Sequence, residues 1–448
     1  MRLSSLLLSI PVLALALSHA NDASAGGGCF HQTGAQPPAT IEVTGHKMIV
    51  SISATQTTLW DQIAYSGDPA SFAWVLPVKG NVTFAVSSDA LFQNLNLAAA
   101  VELTLPKIDC YGANSCVYGG ATGTGYTIAG GGGSGVPNTA PSSTYAHQVV
   151  GPYEMVQVHS SDPAALTTWL TDHSFAIPDD VKPIIAAYVA EGFDFLAVKL
   201  VPGEGMTAMR PIRVTTTGGS PVLPLRMLAA GAGPTMPVTL WVMAAGRYEA
   251  ANMPDFTLQS NQITWDWNAV SSNYAELEKS QFAASMGKAW HVEVAEPFSP
   301  DHLKSVLDGL AASVPKASGY ADAMGQGAPE AETADLAALF GNLDPATLWV
   351  TRLHAELSPQ ALSNDLTLGA SAVQAPVNRF LKPGTILGAT PVCAKDPPCS
   401  GTGGAGGDSS GASSAGGCSM SVSGGFSSML GAVSVLAALA LLRRRQAR

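Results

Sequence analysis

The sequence predicts an α+β fold, a predominantly antiparallel β-sheet body with several packed helices, set between an N-terminal signal helix and a C-terminal transmembrane helix. Three observations predict it. Runs rich in Val, Ile, Phe and Trp recur through the middle of the chain, helical stripes fall between some of them without the regular alternation of βαβ units, and apolar runs beside arginine stand at both extremities.

At the N-terminus, Arg2 precedes an apolar stretch from Leu6 to Leu17 and a small-residue site at Ala23-Ser24-Ala25, the three parts of a secretory signal peptide over residues 1–25. Cleavage between Ala25 and Gly26 leaves Gly26 as the mature N-terminus. A first core helix is the competing reading, and Pro11 within the run and Gly26-Gly27-Gly28 behind it argue against it. A lipoprotein signal ending at Cys29 fits less well, because three glycines precede that cysteine.

An extracytoplasmic domain follows over residues 26–385, either one body or two lobes, 26–120 and 145–385, joined by a Gly-rich loop. Thr40 to Val43, Met48 to Ser53 and Phe72 to Val78 read as strands. Gly130 to Gly135 is not a phosphate cradle, since neither Lys-Ser nor Lys-Thr follows it. Asp162-Pro163 caps a helix carrying Leu166, Trp169 and Leu170, and a second helix from Asp180 to Glu191 buries Ile184, Ile185, Tyr188 and Val189 before stopping at Gly192. Phe193 to Leu200, Pro211 to Thr216, Val222 to Ala229 and Val238 to Ala244 read as strands, Ser299-Pro300 opens a further helix, and Leu348 to Leu353 is another strand.

Of the 448 residues 46% are hydrophobic and 12% charged, ample apolar material for one large or two ordinary domains. Setting aside Arg2, Asp22 and the four tail arginines leaves 17 basic against 32 acidic residues, a net charge near −15. Phosphate backbones need clustered Lys and Arg, so nucleic acid is excluded as a partner class. Cysteine usage points to an oxidising compartment: Cys110 with Cys116, and Cys393 with Cys399, enclose short loops suited to local bridges. A four-thiol metal site is the alternative, although the spacing is CxxxxxC rather than CxxC. On the local pairing, Cys29 is left over in the body.

Residues 386–417 form a Cys/Pro then Gly/Ser-rich linker, in which Ser400 to Gly417 holds only Gly, Ser, Ala, Thr and one Asp. Such a tether spans roughly 20 to 25 Å. The tail, 418–448, begins at Cys418, passes Gly424-Gly425, and runs apolar from Phe426 to Leu442 before Arg443, Arg444 and Arg445. A helix of that run spans roughly 25 Å, and basic residues directly after it form a membrane stop. With an exported N-terminus and a cytoplasmic C-terminus, the body is extracytoplasmic.

Tyr65-Ser66-Gly67-Asp68 leading into Phe72 to Val78 and Ala90-Leu91-Phe92, then Gly151-Pro152-Tyr153-Glu154, the Leu166 to Leu170 segment, Gly192 to Leu200, Pro221 to Leu225 and Val350 to Leu353, resemble in order the domain of unknown function 2330 family of exported bacterial proteins. That family carries no assigned activity. The tail resembles the MYXO-CTERM sorting signal of myxobacterial surface proteins through Gly417-Cys418, the glycine spacer, the apolar run and the arginine cluster, with Met420 where a second cysteine often stands. The resemblance implies processing near Cys418 by a sorting protease, lipid on that thiol, and display at the cell surface or outer envelope. Its partners are then the membrane, the export machinery and signal peptidase. A permanent anchor, with Cys418 incidental, is the competing reading.

No local signature identifies a reaction. Ser285-Met286-Gly287-Lys288 has the SxxK form without SDN or KTG, and no GxSxG elbow occurs. His291 and Glu293 would share one strand face and could seed a metal site, but no HExxH and no second histidine nearby in the sequence completes it. His46, His147, His159, His173, His302 and His354 are scattered. Phe72, Trp74, Trp169, Tyr188 and Trp241 read as core, whereas Trp265 and Trp267 form either a packed layer or a stacking platform. No catalytic, cofactor or metal residue is assigned, and the ligand stays open. Two functions follow: a non-enzymatic surface protein that binds a partner or contributes to the envelope, and an extracytoplasmic hydrolase assembled from distant residues. A pocket joining His291, Glu293 and another histidine would favour the second.

Overall fold

The structure, a computed structural model, describes residues 29–31 and, with short gaps, 42–106, 146–313 and 328–391. We number the strands of the two large sheets and the α-helices in chain order. Strand β1 is Cys29–His31, β2 Glu42–Ile52, β3 Gln56–Ser66, β4 Phe72–Val78 and β5 Val82–Val86, followed by helix α1, Asp89–Ala99. After the glycine-rich stretch come β6 Ala146–Val150, β7 Tyr153–Val158, α2 Ala164–Asp172, α3 Lys182–Ala190, β8 Asp194–Leu200, β9 Ile212–Thr217, β10 Met236–Ala245 and β11 Asp255–Phe256. Then follow α4 Tyr274–Ala284, β12 Trp290–Pro297, α5 Pro300–Ser313, α6 Ala328–Phe340 and β13 Leu348–Leu357.

A five-stranded antiparallel sheet has the order β1-β4-β8-β7-β6, and an eight-stranded sheet the order β11-β12-β13-β10-β2-β3-β9-β5. The eight-stranded sheet is mixed, because β2 runs parallel to β10 and β11 parallel to β12. Strands from before and after the glycine-rich stretch interleave in both sheets, so the described parts of the two segments share their sheets. Pairing between distant segments of this kind cannot be divided without breaking ladder hydrogen bonds.

Alternation along the strands sorts side chains into layers. In β4, Trp74, Leu76 and Val78 face a core shared with Met48, Val50, Leu240, Val242 and Leu353 of the larger sheet. Ala73 and Val75 face the opposite way, onto Leu166, Leu170, Ile185 and Tyr188 of α2 and α3. The far face of the larger sheet offers Ile49, Trp60, Trp241, Met243 and Val350 to α1, α5 and α6. The body is thus four layers, with helices on the outer face of each sheet.

Local deviations have identifiable causes. The described part of the strand expected at Thr40 to Val43 and the one expected at Met48 to Ser53 belong to one strand, Glu42–Ile52, kinked by a bulge between Val43 and Gly45. A Cβ on Gly45 would stand 3.1 Å from the Pro237 carbonyl oxygen, so β2 could not lie as close to β10 with a larger residue there. The strand expected over Val222 to Ala229 stops at Leu223, because Pro224 lacks the N–H that would continue the ladder. Leu225–Ala229 is a 3-10 turn burying Leu225, Met227 and Leu228. Helix α3 ends where Gly192 takes a φ of 76°, as its glycine predicts. Among the described residues no helix is long and apolar enough to cross a membrane. The apolar runs 6–17 and 426–442, together with Ala25, Gly26, Cys110, Cys116, Cys393, Cys399, Cys418, Arg443, Arg444 and Arg445, lie outside the described residues.

Candidate binding cleft at helix α4

Helix α4 packs on the outer face of the larger sheet near its β11 edge. Tyr274, Glu278 and Phe282 recur every four residues and form a single stripe, which meets His291 and His354 on the sheet. The helix ends in a tight turn in which Gly287 donates its N–H to the Phe282 carbonyl at 2.8 Å and Met286 and Gly287 take φ values of 55° and 66°. Ser358, just after β13, donates its N–H to the Gly287 carbonyl at 3.0 Å and so fastens the helix end to the sheet.

The SxxK residues lie in this turn. Ser285 Oγ donates to the Phe282 carbonyl at 2.9 Å, which is the capping role of a helix-terminal serine rather than that of a nucleophile held by a base.

The sheet supplies the polar half. In β13, Leu353, Ala355 and Leu357 are buried between the sheets while Arg352, His354 and Glu356 alternate onto the outer face. His354 pairs directly across from His291 of β12, so the second histidine that the sequence lacks nearby is brought in by strand register. A bulge between Val292 and Val294 places Glu293 as an extra residue beside Arg352.

His291 is 1% exposed; its Nδ1 lies 2.8 Å from Glu278 Oε1, and its ring stacks on Phe256 at 4.7 Å. Glu293 Oε2 lies 2.9 Å from the Arg352 guanidinium, which also donates to Asn96 of α1 at 3.2 Å and sits over the Trp241 ring at 5.6 Å. His354 Nε2 stands 3.6 Å from Glu356 Oε1, close enough for charge attraction but not for a hydrogen bond.

These contacts set the protonation of the groups. Burial raises the Glu293 carboxyl, and the charges of Arg352, His354 and His291 offset only part of that. Burial would raise Glu278 too, but its hydrogen bond with His291 and the neighbouring His354, His291 and Arg352 charges outweigh it and hold the carboxyl below its ordinary value. Burial favours neutral His354, yet Glu356, Glu293 and Glu278 together shift it upward. Burial and the Glu293 and Glu278 charges raise the Tyr274 phenol.

Above this cluster opens a cleft of about 530 Å³, walled by Phe282 and Met286 and floored by Glu278, His354 and Glu356, with Thr235 and Ser358 at its margin. Apolar walls with a few convergent polar groups are the usual composition of a ligand site. One oxygen or nitrogen from each of Glu278, His291 and Glu293 lies within 4.8 Å of the others, a spacing that could hold a metal ion.

The remaining singled-out residues are dispersed. His46 Nδ1 pairs with Asp61 at 3.0 Å inside the body, His173 stacks on Trp169 at 4.2 Å, and His302 is exposed on α5. His147 lies in β6, and His159 is outside the described residues. Trp265 and Trp267 pack edge to face at 5.6 Å with Trp265 buried, a packed layer rather than a platform. Sequence reasoning missed Glu278 and His354 as partners of His291. The signal for Glu278 was the Tyr274-Glu278-Phe282 stripe, whereas no local feature announces His354.

No curated protein and no solved structure matches the chain. A family model described as an uncharacterized protein conserved in bacteria (DUF2330) matches residues 23–369, which take in all the cleft residues and both large sheets, and the chain therefore belongs to that family.

Proposed function

We propose that the protein is exported, loses its N-terminal signal at Ala25-Gly26, and is held at the cell surface or outer envelope by its tail, where the body serves as a non-enzymatic binding protein through the α4 cleft. The two ends support the first half: apolar runs beside Arg2 and beside Arg443 to Arg445 orient the chain outward at one end and stop it at the other. One observation carries the second half: the cleft joins the apolar walls of Phe282 and Met286 to a floor of Glu278, His354 and Glu356, with Glu278 held by the buried His291 behind it, a composition suited to gripping a ligand. The partners are the export machinery, signal peptidase, a sorting protease acting near Cys418, and the membrane.

A hydrolase is the second reading, favoured by the strand register that sets His354, on the cleft floor, directly across from the buried His291. Against it, Ser285 spends its hydroxyl hydrogen on the Phe282 carbonyl.

Digestion of intact cells with an added protease tests the address. The body should be degraded in wild-type cells, and Cys418→Ser should leave an unprocessed chain that still carries Arg443 to Arg445. Full protection of the wild-type body in intact cells, with digestion only after lysis, would overturn surface display. Normal processing of Cys418→Ser would overturn the sorting role of the thiol.

A further inference from the structure

We propose that Glu278, His291 and Glu293 form a binding site for one divalent ion of the zinc class. The inference deepens the reading of the cleft as the binding face, and can fail while that reading stands.

Four observations carry it. Geometry comes first: the three donors lie within 4.8 Å of one another, whereas tetrahedral ligands of a zinc ion stand about 3.4 Å apart, so binding draws the set together by up to about 1.4 Å.

Rigidity comes next. His291 is fixed by its stack on Phe256 and by burial, while the bulge at Glu293 turns an extra acidic residue onto the same face. Bulges commonly serve to aim a side chain of this kind.

The third observation is an unmet acceptor. Glu293 is 9% exposed, and its Oε2, although 2.9 Å from Arg352, lies out of line for a hydrogen bond and accepts none among the described residues. A buried carboxylate oxygen without a donor is a costly arrangement in a folded protein. A cation bound there would complete it.

Charge is the fourth. Glu278 lies beside His291 and Glu293 beside Arg352, so two carboxylates converge on the one buried imidazole, a donor set that attracts a cation. The imidazole in the set selects for class: histidine suits zinc and its transition-metal neighbours, whereas calcium and magnesium prefer cages of oxygen alone.

The test is calorimetric titration of Zn²⁺ into the detergent-solubilised, chelator-treated full chain, followed by X-ray absorption at the zinc edge. One equivalent should bind, with nitrogen and oxygen neighbours at about 2.0–2.1 Å. Glu278→Gln should weaken binding at least about 10-fold, on the scale typical of losing a partner in a metal shell. His302→Ala, on the exposed face of α5, should leave the affinity unchanged. Because His291 is buried and its replacement could disturb folding, Glu278→Gln serves as the primary variant, and its unchanged thermal melt in chelator shows that the fold persists. Equal affinity for wild type and Glu278→Gln would overturn the site. So would an absorption spectrum dominated by sulfur neighbours at about 2.3 Å, which would assign the ion to the cysteines.

Discussion

Asp335→Ala should lower the stability of the body by about 3–5 kcal/mol, the range for removing one partner of a buried charge pair. Asp335 is fully buried on α6 and accepts three hydrogen bonds, from Trp60 Nε1 at 2.9 Å, Ser87 Oγ at 2.6 Å and Arg213 at 2.6 Å. Those donors come from β3, from the segment after β5, and from β9. One carboxylate therefore ties α6 to three points on the outer face of the larger sheet. Alanine would leave the Arg213 guanidinium, whose side chain is 13% exposed, without its counter-charge and the Trp60 indole without an acceptor. Urea unfolding checks this through the midpoint at constant slope. A loss below about 1 kcal/mol, the scale of an exposed pair, would mean that apolar packing alone docks α6.

Arg352→Ala should be of similar size, about 3–5 kcal/mol, and by the same mechanism. Its guanidinium answers Glu293, bonds Asn96 of α1 and covers Trp241, so a single side chain links the cleft to the neighbouring helix layer. Removing it leaves Glu293 as a buried carboxylate without its nearest cation, and the carboxyl should rise further as burial goes unopposed. Adding Glu293→Gln to Arg352→Ala should recover part of the loss, because the stranded charge is then gone. A double-mutant cycle in urea measures that coupling. Strict additivity would show that the 2.9 Å contact contributes little.

Several elements were legible in the sequence because their signals are local. Phe72 to Val78 reads as a strand and is β4 to the residue, since its alternation faces two different cores. The helix from Ser299-Pro300 and the Ile185–Tyr188 stripe followed from proline position and period. The four-layer arrangement was not legible, because strand order depends on pairings across the glycine-rich stretch that no local pattern encodes. Val222 to Ala229 was misread for a narrower reason: apolar density outweighed the missing N–H of Pro224.

The cluster beneath the cleft divides the same way. His291 and Glu293 share a face through two-residue spacing, which the sequence displays. His354 joins them through the register of β12 against β13, and Glu278 through the docking of α4, both of which are tertiary facts. Arg352 appeared in the sequence only within a run resembling the family, yet it is the cation beside Glu293.

Where the body resides is tested most directly by intact-mass analysis of the native protein from isolated envelope. The expected species begins at Gly26, ends near Cys418 without the arginine cluster, and carries acyl mass on that thiol. A chain running from Met1 to Arg448, recovered from the cytosol with every thiol reduced, would contradict it.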